Sequence, residues 1–225
     1  MPELTDLKQP IAILTDYIAA SPTTIRVKQH KKSRNRAPGD DLTVWTWSDD
    51  EISTSTRSSD QRKLFSVAGD SVPFSQRRSF RDAAGLPLFE LAQKKAGVTW
   101  FVHVPGEEET SEAIAAIAPR WNPLKNKLDV YVRNAAGNGA EVKLKLRCQD
   151  LSRFRTHVYY DGALVMAASR VDGHDSLTEV EWEVDVAGGL DISLASVIMV
   201  VLAYMLHITA ASSHRGAGDS SVENK

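Results

Sequence analysis

Lys28, His30, Lys31, Lys32, Arg34 and Arg36 crowd into one short stretch, directly ahead of Pro38-Gly39. A loop with that much positive charge can grip the phosphates of inositol lipids or of an anionic membrane surface. Each basic side chain near such a surface contributes about 1 kcal/mol. The competing reading is a solvated loop with no ligand. Arg77, Arg78 and Arg81 form a second basic set. Lys31, Lys32, Arg34 and Arg36, with Lys28 beside them, are the first candidates for contact with lipid phosphate. Arg77, Arg78 and Arg81 are the second.

Two further sets lie on strand-like segments. Lys143, Lys145 and Arg147 share one face, with Arg153 and Arg155 close behind. Glu179, Glu181, Glu183 and Asp185 share another. If the two strands are neighbours, the sets pair across the sheet, each pair contributing a few tenths of a kcal/mol. If not, the basic set is a patch for lipid or nucleic acid. Asp172-Gly173-His174-Asp175 carries metal-capable side chains, but two carboxylates and one imidazole read better as a turn. Glu107-Glu108-Glu109 lacks the ligand number an ordered Ca²⁺ ion needs. No metal and no cofactor are expected. Nucleophile-elbow, zincin, P-loop and dinucleotide patterns are absent. Cys148, the one cysteine, falls among apolar positions and has no nucleophile context. These observations point away from an enzyme.

The chain of 225 residues has a formal net charge of −2, so no global field draws it to nucleic acid or lipid. Nucleic acid is not an expected partner. A single cysteine and an N-terminus without a signal-peptide pattern fit a reducing, cytoplasmic setting.

Period-2 alternation must position these side chains. It runs through Thr24–Lys28, Leu42–Trp47, Lys63–Val67, Arg77–Arg81, Leu86–Leu91 and Val98–Val104, then through Lys127–Arg133, Glu141–Cys148, Phe154–Tyr160, Ala163–Val171 and Thr178–Val186. Ala113–Ala118, bounded by Pro119, reads as a strand or a helical turn. With a short piece near Val72–Phe74, about twelve strands emerge, at the spacing of an antiparallel barrel or sandwich. Asp161-Gly162 is the strongest hairpin signal. Trp45, Trp47, Trp100 and Trp182 follow the alternation and read as core.

After Gly188-Gly189 the period changes. Ile192 to Ile208 contains no carboxylate, lysine or arginine, and Asp191 suits a helix N-terminus. The run is long enough to span a bilayer. It would equally fill a closed can of strands as a helix apolar all round, with Tyr204 and His207 as polar tips near one mouth. The flanks lack the basic cluster of an anchor. The expected fold is mainly β: a closed antiparallel barrel of about twelve strands around a buried hydrophobic C-terminal helix. Residues 1–21 read as a weakly ordered lead-in, 22–211 as one domain with the helix over 190–210, and 212–225 as a disordered tail.

Leu64-Phe65-Ser66-Val67-Ala68-Gly69-Asp70, followed by Phe74-Ser75-Gln76-Arg77-Arg78-Ser79-Phe80-Arg81-Asp82-Ala83-Ala84-Gly85-Leu86-Pro87-Leu88, resembles the LURP-one-related family. Lys125-Asn126-Lys127-Leu128-Asp129-Val130-Tyr131 is similar to that family's K-x-K-L-D-V-aromatic strand, and the terminal run with Asp191 to its closing helix. Gln76 and Leu86 depart from its usual arginine and asparagine. The resemblance implies the tubby C-terminal-like fold, which phospholipid scramblases are thought to share, and no catalytic residues. It raises the phosphoinositide reading of the basic loop. The expected protein is a monomeric, peripheral phospholipid-binding module. The alternatives are a ligand-free scaffold with a protein partner and a tail-anchored, scramblase-like membrane protein.

Overall fold

The computed structural model describes residues 3–30, 41–47, 61–69, 77–93, 98–106, 111–120, 127–150, 155–171 and 180–215, with helix side chains as far as Met205. Twelve strands alternate in direction: β1 (Thr23–Gln29), β2 (Leu42–Trp47), β3 (Gln61–Gly69), β4 (Arg77–Asp82), β5 (Pro87–Gln93), β6 (Trp100–His103), β7 (Ala115–Arg120), β8 (Lys127–Asn134), β9 (Ala140–Cys148), β10 (Arg155–Tyr160), β11 (Ala163–Arg170) and β12 (Val180–Val186). Each pairs with its neighbour in sequence, and β1 pairs with β12 to close a barrel. One helix follows, α1 (Ile192–Arg215).

Tight turns are set by local chemistry. Asp161 (φ 47) and Gly162 (φ 87) make the two left-handed residues of the β10–β11 hairpin. Asp82 accepts the Leu86 N–H at 2.8 Å across the β4–β5 turn. Asp191 caps α1: its side chain accepts the Ser193 N–H at 2.7 Å and its carbonyl the Ala195 N–H at 3.0 Å.

Alternate strand residues point into the lumen and are buried, among them Val27, Phe65, Phe80, Phe89, Val130, Leu144 and Val184. The helix fills the space they enclose. From Leu194 to Ala203 no residue is more than 8% exposed. A helix apolar on every side is therefore satisfied by strands on every side. Each large side chain buried this way contributes about 1.5–3 kcal/mol. Among the described residues, no helix is long and apolar enough to cross a membrane.

Residues 3–21 close the end where α1 begins. Asp191 Oδ2 accepts the Ile13 and Leu14 N–H groups at 2.9 and 2.8 Å. Asn134 accepts the Ala12 N–H at 3.0 Å and donates to the Pro10 carbonyl at 2.8 Å. Bridges join Ile11 to Leu190 and Ile18 to Asp191. Ile11, Ala12, Ile13 and Ala19 are buried, and Tyr17 meets Phe65 edge-on at 4.9 Å.

Two local expectations need correction. Trp45 is not core. Leu42 and Val44 take the lumen side of β2, so Trp45 faces outward, half-buried, with its Nε1 donating to Thr43 at 3.0 Å. Pro119 does not bound its strand: β7 runs through it to Arg120, with Pro119 opposite Leu128.

Candidate anion-binding rim

Because the strands alternate in direction, each barrel end collects a defined set of side chains. At one end α1 emerges from the lumen with Tyr204; at the other it begins, beneath residues 3–21. Lys28, Arg77, Arg78, Arg120 and Lys127 lie within two residues of a strand end at the helix-exit rim. Arg147, Arg155 and Arg170 join them. The carboxylates there are Asp41, Asp129, Asp150 and Glu181. The balance inverts at the opposite end, where Asp82, Glu112, Glu141, Asp161 and Asp185 join Glu3, Asp6 and Asp16 of the closing segment. Lys8, Arg62, Lys63, Arg81 and Arg133 are the cations there. Among the described residues the barrel is thus polarised along its axis, basic where the helix leaves and acidic where it starts.

The candidate residues separate by face as well as by end. Arg77 points outward, with Nη1 3.6 Å from Glu90. Arg78, one residue on, points inward and is only 12% exposed. Its guanidinium lies 4.4 Å from the Tyr204 ring centroid, and its Nε is 3.8 Å from Asp41. Tyr204 donates its hydroxyl to Asp41 at 3.0 Å and stacks on Trp100 at 5.9 Å. Burial, more than any neighbouring charge, pushes the Tyr204 hydroxyl up, so it stays a protonated donor. Arg78 thus secures the helix at the mouth. Lys28 stands at the helix-exit rim, half-buried, whereas Arg81 is exposed and belongs to the opposite rim. Lys31, Lys32, Arg34 and Arg36 lie outside the described residues. His30 and Asp41, which flank that stretch, are joined at the helix-exit rim by a His30 N–H to Asp41 carbonyl bond of 2.8 Å.

The acidic stripe of β12 is matched by β1. Arg26 bonds Glu181 at 2.9 Å and Glu183 at 3.3 Å, and Thr24 donates to Asp185 at 2.8 Å. The basic stripe of β9 is separated from β12 by β10 and β11 and lies beside β8 and β10 instead. Asp129, 2% exposed, takes Lys143 at 2.9 Å and Arg120 at close range. Those two cations hold its carboxyl below the usual range, although burial alone acts in the other direction. Arg120 and Lys127 were not singled out by sequence. Their isolated positions gain meaning only from the register that sets Arg120 beside Lys127 and Lys127 beside Arg147.

Among the described residues, no group of three or more His, Cys, Asp or Glu side chains could hold a metal ion. Asp172, His174 and Asp175, and Glu107 to Glu109, lie outside the described residues.

A family model described as LURP-one-related matches residues 41–203. Among solved structures, an X-ray structure of an Arabidopsis thaliana protein matches with a TM-score of 0.58 and 15% identity, over 87% of this chain and 98% of that one. At that identity the likeness concerns the fold. No curated protein matches the sequence.

Proposed function

Since the chain belongs to the LURP-one-related family, we propose that it works by binding, as a peripheral module that docks the helix-exit rim of its barrel against anionic phospholipid head groups. The observation that carries this reading is the axial charge polarity. A body basic at one end and acidic at the other orients in the field of an anionic surface. Near such a surface each lysine or arginine contributes about 1 kcal/mol. The sequence adds Lys31, Lys32, Arg34 and Arg36 between two strands that end on this rim. The lumen is filled by the protein's own helix, which leaves the outer surface and the rims for contact with partners. In this reading the protein is cytoplasmic and performs no covalent chemistry.

The test is co-sedimentation of the full chain with phosphatidylserine-containing vesicles. Wild type should bind at low salt and release as salt rises, because the attraction is screened. Replacing Lys31, Lys32, Arg34 and Arg36 together by alanine should cut binding at least tenfold. Absence of wild-type binding at low salt, or unchanged binding by the variant, overturns the proposal.

A further inference from the structure

The outer face of β8 and β9 holds positive charge that its neighbours leave unneutralised. Asp129 is taken by Lys143 and Arg120, Glu112 by Arg133 at 2.8 Å, and Asp150 by Arg155 at 3.4 Å. Lys127, Lys145 and Arg147 then have no carboxylate partner among the described residues. Arg147 spends one N–H on the Leu146 carbonyl at 2.7 Å. Lys127 and Arg147 are direct partners in the β8–β9 register; Lys145, two residues along the same face, stands opposite Asp129, whose carboxylate is engaged by Lys143 and Arg120.

Directly opposed partners sit about 4.5–5.5 Å apart at Cα, and alternate residues of a strand about 6.8 Å apart. Like charges placed opposite each other in a sheet are destabilising. A bound anion reverses the sign of that term. Three cations within this compass suit one compact group bearing several oxygens and two charges. Arg147 supplies a planar fork of donors and the lysines mobile point charges, the combination that recognises phosphate. A nucleic-acid strand fits less well, because it needs rings for base stacking. Here Lys143 Nζ lies 5.0 Å from the Tyr131 ring centroid, and Tyr159 is engaged through its hydroxyl with His157 at 3.2 Å.

We propose that Lys127, Lys145 and Arg147 form a subsite for a phosphomonoester dianion carried on a lipid head group. This rests on the docking reading above and gives it a head-group preference, since the subsite adjoins the same rim.

The test uses the full chain with vesicles of phosphatidylcholine containing either phosphatidic acid, a phosphomonoester, or phosphatidylserine, adjusted to equal surface charge. Soluble glycerol 3-phosphate is titrated in parallel. Wild type should favour phosphatidic acid about fivefold or more. The triple variant Lys127→Ala, Lys145→Ala, Arg147→Ala should bind both vesicles equally. A control with the same charge loss, Lys28→Ala, Arg77→Ala, Arg155→Ala, should weaken both but keep the preference. With ligand absent, the single variant Lys127→Ala should melt no lower than wild type, since it relieves the like charges that Arg147 and Arg120 set opposite it. Equal wild-type binding to both vesicles, or a preference surviving in the first variant, overturns the subsite and leaves the docking reading standing. Binding of glycerol 3-phosphate as tight as that of the vesicles overturns the lipid assignment. If no vesicle binds, docking fails, and absence of glycerol 3-phosphate binding then removes the subsite too.

Discussion

The Asp191 carboxylate joins the start of α1 to the Ile13–Leu14 backbone, and the Asp191 main chain bridges Ile18. Both oxygens accept N–H groups, so Asp191→Asn must turn an amide donor toward one of them. The expected loss is about 1–3 kcal/mol, read by urea unfolding. Burial, the largest influence, lifts this carboxyl above its ordinary value against the N–H groups of Leu14, Ser193 and Ile13. A folded value above the unfolded one means that the stabilising contribution is complete below the unfolded value. It is lost as pH rises through the folded value. The gap between wild type and Asp191→Asn should therefore be larger at pH 4 than at pH 7; a gap larger at pH 7 contradicts this. At the mouth, Tyr204→Phe should cost about 1 kcal/mol through the lost Asp41 bond, measured in the same way. The capping role of Asp191 was legible, because an acidic residue preceded a long apolar run. Its grip on residues 13 and 14 was not, since nothing local announces a partner so far away in sequence.

At the scale of elements, the closing segment depends on two glycines between β12 and α1. Gly189 has φ +86, and a Cβ there would stand 2.9 Å from the Leu7 Cβ and 3.1 Å from the Leu7 carbonyl. Gly189→Ala should therefore detach residues 3–21 from the barrel, at a cost above about 1 kcal/mol. Hydrogen exchange should show faster exchange at Leu7, Ile11 and Ala19, whose N–H groups bond Gly188, Gly189 and Leu190; unchanged protection there would contradict the account. The strands were legible because alternation is a local signal. β2 shows where that signal gives out: the aliphatic set, Leu42 and Val44, takes one face and the aromatic Trp45 the other, and alternation alone fits either choice. Only the lumen, already occupied by α1, selects the slimmer set. The apolar helical run was ambiguous between membrane and core for the related reason that its surroundings are supplied by strands remote in sequence.

At the scale of the molecule, net charge concealed the most useful feature. Behind a formal −2 for the whole chain, the described residues separate into a basic end and an acidic end, and only the closed alternating topology sorts them between the two. Sequence picked Arg77 and Arg78 as a pair, yet strand alternation sends them to opposite faces, one to Glu90 and one to Tyr204. It passed over Arg120 and Lys127 as candidates; register alone sets Arg120 beside Lys127 and Lys127 beside Arg147. Orientation at a membrane follows from the polarity and can be read directly. In a Cys148→Ala background, an environment-sensitive fluorophore is placed on Gln149→Cys at the helix-exit rim, or on Leu86→Cys, 63% exposed at the opposite end. Each protein is then mixed with phosphatidylserine vesicles carrying a lipid-borne quencher. Quenching of the Gln149 label with none of the Leu86 label is the predicted result; quenching of the Leu86 label, or equal quenching of both, contradicts end-on docking through the basic rim.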